Sequence, residues 1–333
     1  MMSQKSTPMF HIRDKQIDSR IIVAPMAGIT NDAFRTLCFE FGAGLVYTEM
    51  VSDKAIFYGN AKTFEMLKVS KDVHPVSLQL FGSDITTMVY AAKVLDKDTD
   101  CDFIDINMGC PVNKVVKTGA GSAMMKDEDH TVEIVKKIIE NVDKPVTVKM
   151  RLGWDREHMN YLSLSKKLED AGVSLIALHA RTRSQMYEGH SDWSHIKILK
   201  ENLHIPVLGN GDVKTLNDFI EMEKETSCDG VMIGRGLVGN PFLIKEIDNY
   251  LKGKENLYVS RKDRFEYCLE HARKLIELKG EKLAMGEMRG LAPHYISGMY
   301  DSTTYKEKMN HMKTYAELES ILNEYDSILH DRI

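Results

Sequence analysis

The chain has 333 residues, 43% hydrophobic and 28% charged, ordinary proportions for a globular protein and ample for a large packed core. The first twenty residues lack an apolar signal region, no apolar run reaches membrane-spanning length, and five cysteines without a C-x-x-C pair exclude a disulfide framework and a structural zinc site; the expectation is a reduced, cytoplasmic protein with no metal. A net charge of −5 gives no global sign of nucleic-acid binding, though an acidic protein can still carry a local basic face.

Taken in chain order, FHI (10–12) and KQI (15–17) predict a small hairpin. Eight short β-branched or aliphatic runs follow: IIVA (21–24), GLVYTE (44–49), VSLQLF (76–81), FIDIN (103–107), VTVKM (146–150), LIALH (175–179), PVLGN (206–210) and GVMIG (230–234). Between them NDAFRTLCFEF, SDITTMVYAAKVL, DEDHTVEIVKKIIENV, NYLSLSKKLEDAG, DWSHIKILKEN and TLNDFIEMEKE carry apolar residues at three- and four-residue spacing. Most begin with Asp, Asn, Ser or Thr near the N-cap. Residues 49–74 form a longer link, a loop with a short helix. Eight strands alternating with helices predict a parallel sheet closed as a (β/α)₈ TIM barrel, with a doubly wound sheet as competitor. The hairpin would cap the N-terminal end of the barrel. After Lys252-Gly253 the pattern changes, and 260–280, 283–296 and 304–330 predict helices with no strands among them. Residues 1–252 are thus expected to form the barrel domain and 253–333 a smaller all-α domain.

In such barrels chemistry sits at the C-terminal strand ends. Those ends read Pro25-Met26-Ala27-Gly28, Glu49, Gln79, Asn107 with Cys110, Lys149 with Arg151, His179 with Arg181, Asn210-Gly211-Asp212, and Gly234-Arg235-Gly236. Each has a bland reading; His179 alone is more often a satisfied core histidine than a reactive group. Delivered together by every strand at one end, they point to a shared site. GRGLVG (234–239) spells G-x-G-x-x-G, but it follows the last strand and no second βαβ unit follows it, so a dinucleotide fingerprint is rejected. Its position fits a barrel phosphate site, with NGD and GRG offering backbone N–H groups beside Arg235. A phosphate-tailed cofactor in such a barrel suggests flavin mononucleotide (FMN). Lys149 would then lie beside the flavin pyrimidine ring, its alternative being a lysine that snorkels out of the barrel mouth.

DFIDINMGCPVNK (102–114) runs a buried strand straight into a turn that carries a thiol. A packing cysteine belongs within the strand, and a disulfide cysteine needs a partner. Cys110 meets neither description, which marks it as a candidate reactive group, with a buried inert thiol as the alternative.

APMAGITNDAFR, INMGCPVNKVVKTGAGSAMMKD, VTVKMRLGW, LHARTRSQMYEG, VLGNGDV and GVMIGRGLVGNP closely resemble, in order, the blocks of the tRNA-dihydrouridine synthase family (bacterial DusB-like type) and cover most of residues 22–243. The resemblance implies an FMN-containing barrel followed by a helical tRNA-binding domain. It implies reduction of the uridine C5–C6 double bond in tRNA, with NADPH (or NADH) as electron donor. Carried over by position, FMN contacts fall at Pro25, Met26, Ala27, Gln79, Lys149, His179, Asn210, Gly211, Asp212, Gly234 and Arg235. Cys110 becomes the proton donor, and Asn107, Arg151, Arg181 and Arg183 face the substrate. The chain departs from the family at 288–295, MRGLAPHY, where Arg289 and Tyr295 fit but an internal Lys-His is missing.

Two other readings compete. A dihydroorotate-dehydrogenase-like barrel also pairs FMN with a loop cysteine or serine, but would not need a helical domain after residue 252. A non-catalytic RNA-binding barrel would have no reason to keep Cys110, Lys149 and the phosphate turns together.

Overall fold

The computed structural model describes residues 10–330. Strands β1 (Phe10–Ile12) and β2 (Lys15–Ile17) pair antiparallel as the expected hairpin. The next eight are β3 (Ile21–Val23), β4 (Leu45–Ser52), β5 (Val76–Phe81), β6 (Phe103–Met108), β7 (Val146–Arg151), β8 (Ile176–His179), β9 (Val207–Asn210) and β10 (Gly230–Ile233). All are parallel, and they close in the order β10-β3-β4-β5-β6-β7-β8-β9, which excludes the doubly wound sheet.

Parallel neighbours need a crossover, and here it is helical. The helices are α1 (Asp32–Glu40), α2 (Asp53–Phe57), α3 (Ala61–Met66), α4 (Ile85–Asp98), α5 (Asn113–Val116), α6 (Glu128–Ile139), α7 (Tyr161–Asp170), α8 (Ser194–Asn202), α9 (Leu216–Thr226) and α10 (Phe242–Leu251). Side chains end them as the sequence suggested: Asn31, Asp84 and Asp127 cap α1, α4 and α6, and Thr215 with Asp218 forms a capping box on α9. The long link resolves into α2 and α3, and β4 extends to Ser52 through a register shift between Tyr47 and Met50.

Inside the barrel the period-2 alternation sorts side chains by height. At the bottom, Phe10, Ile12 and Ile17 of the hairpin join Ile22, Leu45, Phe103, Leu175 and Leu208 in one apolar cluster. Above it lie Ser77, Asp105 and Thr147, then Gln79, Asn107, Lys149, His179 and Asn210 at the mouth. The hairpin therefore plugs the end away from the polar groups.

Four helices follow: α11 (Arg261–Lys279), α12 (Glu281–Tyr295), α13 (Ser302–His311) and α14 (Tyr315–His330). The helix expected over 304–330 is broken at Met312–Thr314. Thr314 Oγ1 accepts from Glu317 N–H while the Glu317 carboxylate accepts from Lys313 N–H, so T-Y-A-E starts a new helix. These helices bury their own cluster, including Phe265, Met288, Tyr305 and Tyr325. That cluster also takes in Ala33 from α1. Phe41 and Phe242 lie against Tyr267, with ring centroids 4.9 and 5.0 Å away, and Lys274 bonds Glu40 at 3.0 Å. The helical part is thus joined to the barrel through an apolar seam.

Candidate active site

Register fixes which mouth residues meet. Gln79 pairs with Asp105, Asn107 with Lys149, Arg151 with His179, and His179 with Asn210. The fully buried Asp105 carboxylate accepts Thr147 Oγ1 and Gln79 Nε2, both at 2.6 Å. Gln79 Oε1 accepts Asn107 Nδ2 at 2.7 Å, and Asn107 Oδ1 accepts the N–H groups of Gly109 (3.1 Å) and Cys110 (2.9 Å). A carboxylate only accepts, so it orients the Gln79 amide, which orients Asn107, which holds the turn. Burial raises Asp105 to about 6, against the hydrogen bonds from Gln79 and Thr147 and the charge of Lys149.

The Cys110 turn is fastened from two more sides. Gly109 O accepts Arg151 Nε at 2.9 Å, and Cys110 O accepts Ser122 N–H at 3.1 Å. Gly121, at φ +61°, leaves no room for a Cβ beside Cys110 and Val115. Segment 113–126 is therefore seated on the turn as α5 and a 3₁₀ turn rather than standing open. Cys110 is half-buried, and burial pushes its thiol up, against the Val112 N–H and the charges of Arg151 and Lys149. It is a free thiol that stays protonated at neutral pH.

Nine of the eleven residues expected around a cofactor line one cleft of about 600 Å³, partly open to solvent: Pro25, Met26, Lys149, His179, Asn210, Gly211, Asp212, Gly234 and Arg235. Ala27 and Gln79 stand outside that lining. At one end the backbone comes close to itself. A Cβ at Gly211 would collide with Ser191, and one at Gly236 with the Val213 carbonyl. Such bare turns beside Arg235 suit a phosphate. At the other end burial, then Arg151, lowers the Lys149 ammonium to about 8, with Asp105 opposing. Burial and the charges of Lys149, Arg151, Arg181 and Arg235 hold His179 well below its ordinary value, so the ring is neutral. Its Nε2 faces Arg181 Nη1 at 3.4 Å; a guanidinium only donates, so the ring proton sits on Nδ1.

The three arginines expected to face substrate differ. Arg181 is fully engaged: Glu188 O, Ser191 Oγ, His179 Nε2, Gly189 O and Asp212 Oδ2 take its donors. Arg151 gives Nη1 to Thr182 O (2.8 Å) and Met186 O (2.7 Å), bracing the loop after β8. Arg183 lies on the rim, with Nη2 on Asn113 Oδ1 at 2.7 Å. Sequence reasoning passed over three residues. Tyr187 lines the cleft, with Arg235 4.2 Å from its ring, and no signal marked it. Glu49 was read as a strand-end residue without a task; its carboxylate accepts the Gly28 N–H at 2.6 Å. Asp105 could have been found, because a charge inside the apolar run FIDIN needs a partner.

A closed parallel barrel with a glycine-lined cleft at its C-terminal mouth and a protonated thiol on a braced turn is the frame of a cofactor-dependent barrel enzyme. The family description "Dihydrouridine synthase (Dus)" matches residues 22–330, and the chain belongs to that family. It is 36% identical over 324 residues to a probable tRNA-dihydrouridine synthase of Rickettsia bellii, covering 96% of this chain and 99% of that one. It is 35% identical over 311 residues to tRNA-dihydrouridine synthase B of Shewanella oneidensis, covering 93% and 96%. Among solved structures, histamine dehydrogenase from a Rhizobium species superposes with a TM-score of 0.57 at 15% identity, over 86% of this chain and 51% of that one. A 2-naphthoyl-CoA reductase superposes at 0.58 with 12% identity, over 76% and 53%. This chain spans about half the length of those two, and at such identity the likeness is one of fold alone.

Proposed function

We propose that this protein reduces the C5–C6 double bond of uridine in tRNA to 5,6-dihydrouridine, using FMN and NADPH or NADH. The observation that carries the reading is the protonated Cys110 thiol, held on its turn by Asn107 beside a cleft built for an anion-tailed cofactor. The residues present fit FMN. Bare turns at Gly211 and Gly236 with Arg235 would take the phosphate, while Pro25, Met26, Ala27, Gln79 and His179 would meet the ring system. When bound and charged by NAD(P)H, FMN supplies a hydride to C6 of the uracil.

The chain does the rest. Uracil C5–C6 is conjugated with the C4 carbonyl, so hydride at C6 puts negative charge on C5 and O4. Cys110 Sγ–H gives its proton to C5, and the thiolate left behind takes a proton from water. Lys149, with a pKa near 8, is charged at neutral pH and stabilises the nearby anion. Gln79, oriented by Asp105, keeps an amide N–H for the ring edge, and Asn107 would turn its Nδ2 hydrogen from the Met50 sulfur, 3.8 Å away, to the uracil. Arg151 and Arg181 support this wall, and Arg183 meets the RNA at the rim. Residues 253–333 act as a separate tRNA-binding domain. The side chains of Arg264, Lys282, Arg289, Lys306 and Lys313 have no carboxylate partner among the described residues, leaving them available for phosphates. The enzyme works where tRNA is processed, in the cytoplasm. Among the described residues no helix is long and apolar enough to cross a membrane.

The test is direct. Purified protein should be yellow, release FMN on denaturation, and form dihydrouridine in unmodified tRNA when given NADPH or NADH, but leave free orotate unreduced. Cys110→Ala should keep its FMN yet transfer to tRNA about 10²-fold more slowly. Unchanged transfer in that variant, or a colourless parent, refutes the reading.

A further inference from the structure

Three consecutive loops at the barrel mouth converge on one indole. Lys126, at the end of the 3₁₀ turn after β6, places Nζ 3.4 Å from the Trp154 ring centroid. Arg183, in the loop after β8, places Cζ 4.5 Å from it. Trp154 itself stands in the loop after β7, beside a groove of about 920 Å³ lined also by Met125, Asp155, His158, Met159 and Asn160.

Neither cation has a carboxylate partner among the described residues. The acids near them are committed elsewhere: Asp155 to His158 and its own turn, Glu128 to Lys167, Ser163 and Asn160, and Asp127 to the N-cap of α6. Asp127, Glu157 and Glu188 are exposed acids on these segments, and none of them forms an ion pair with either cation. Arg183 Nε is buried without an acceptor, and Nη2 alone is engaged, on Asn113. Two like charges on one ring repel, and each cation–π contact at an exposed site offsets only about 0.5–1 kcal/mol. The cluster therefore lacks an anion and has donors ready for one. Lys114 and Lys117 on the neighbouring segment 113–117 add exposed positive charge without carboxylate partners among the described residues.

We propose that Lys126, Trp154 and Arg183 form a phosphodiester site on the rim, which takes the RNA backbone next to the target uridine. The inference rests on the proposed function and deepens it. Asn113, which holds Arg183, is three residues beyond Cys110, so a phosphate here lies on the thiol side of the mouth, away from the cofactor-phosphate turns after β9 and β10. Turning a uracil out of its stack costs a few kcal/mol, and a hold on the adjoining backbone offsets part of that at the place where the strand must bend. An indole beside two cations is also the composition that binds single-stranded nucleotides without reading their sequence.

The experiment uses the full FMN-loaded chain and unmodified tRNA, with affinity measured across a KCl series. Lys126→Ala and Arg183→Ala should each weaken binding by about tenfold and reduce the slope of log affinity against log salt by about 0.7–0.9, the value of one lost phosphate contact. The KM for tRNA should rise with affinity lost. Trp154→Phe should stay close to the parent, and Trp154→Ala should lose affinity because both cations lose their brace. FMN content and unfolding midpoint confirm that each variant is folded. Parental slopes in both cation variants, with normal tRNA binding by the parent, overturn this site and leave the proposed function standing. A parent that shows no salt-dependent tRNA binding overturns both. Loss of binding to poly-glutamate without loss for tRNA would make the cluster a protein-docking face, and also overturns it.

Discussion

Asp105→Asn separates the charge at the root of the mouth network from its hydrogen bonds. An asparagine can keep its Oδ1 for Gln79 Nε2 and turn its Nδ2 to Thr147 Oγ1, whose hydroxyl can accept as well as donate. The orientation of Gln79 and Asn107, and the hold on Cys110, should survive. The charge does not. In the parent, Asp105 rises from 3.8 to about 6 on folding. Between those values the folded state binds more protons than the unfolded one, so this group's contribution falls as pH rises from about 4 to 6. Two units at 1.36 kcal/mol each make the loss about 3 kcal/mol. The variant has no such loss, so its stability relative to the parent should climb by about 2 kcal/mol between pH 4 and 6.5. Lys149 stays protonated through that window and does not blur the result. Asp105→Ala, which leaves two buried donors without an acceptor, should cost about 2–6 kcal/mol and loosen the Cys110 turn. Urea unfolding at fixed pH values reads both effects. A pH-independent gap between Asp105→Asn and the parent would refute the assignment of a buried, ionising Asp105.

The other outcomes concern the cofactor, the seam and its histidine. Arg235→Ala should weaken FMN retention on dialysis, whereas Lys149→Ala should keep FMN and slow transfer; normal FMN retention and normal rates in both variants would place the cofactor elsewhere. Cutting the chain after Lys252 bares Phe41 and Phe242, now against Tyr267, and Phe34, now against His271, so the fragment should aggregate rather than yield a soluble barrel; a monomer by light scattering refutes this. His271→Gln should gain stability relative to the parent as pH falls from 6.5 toward 4.5 and show a constant difference above 6.5, read by thermal unfolding.

Much of the fold was legible because its signals are local. Short β-branched runs between capped, periodic helices locate all eight barrel strands to within a residue or so at most ends, β4 excepted. The bulge in β4 and the break before Thr314 escaped, the first because it depends on pairing with β5, the second because the apolar period continues across it. At the site, strand ends named the residues but not their tasks. The resemblance implied Arg181 and Arg151 as substrate contacts, and in the structure their donors also hold backbone and side chains of the loops after β8 and β9. Which groups a guanidinium reaches depends on where those loops fold back, and no spacing encodes that.

The seam between barrel and helices makes one last outcome worth working through. Burial lowers His271 from 6.5 to about 4, with Nδ1 on Tyr295 Oη at 3.1 Å and Nε2 without a partner among the described residues. Its folded value lies below its unfolded one, so the stability it contributes is complete above about pH 6.5 and is lost as pH falls toward 4, by about 3 kcal/mol. Asp105 works in the same window with the opposite sign. If barrel and helices unfold together, the contributions of these two groups offset each other in the parent between pH 4 and 6.5. Relative to the parent, stability should then rise with pH in Asp105→Asn and fall with pH in His271→Gln. The two share no hydrogen-bond partner, so the double variant should return to the parent's profile. Separate transitions for barrel and helices, each carrying its own slope, would show that the apolar seam does not couple them.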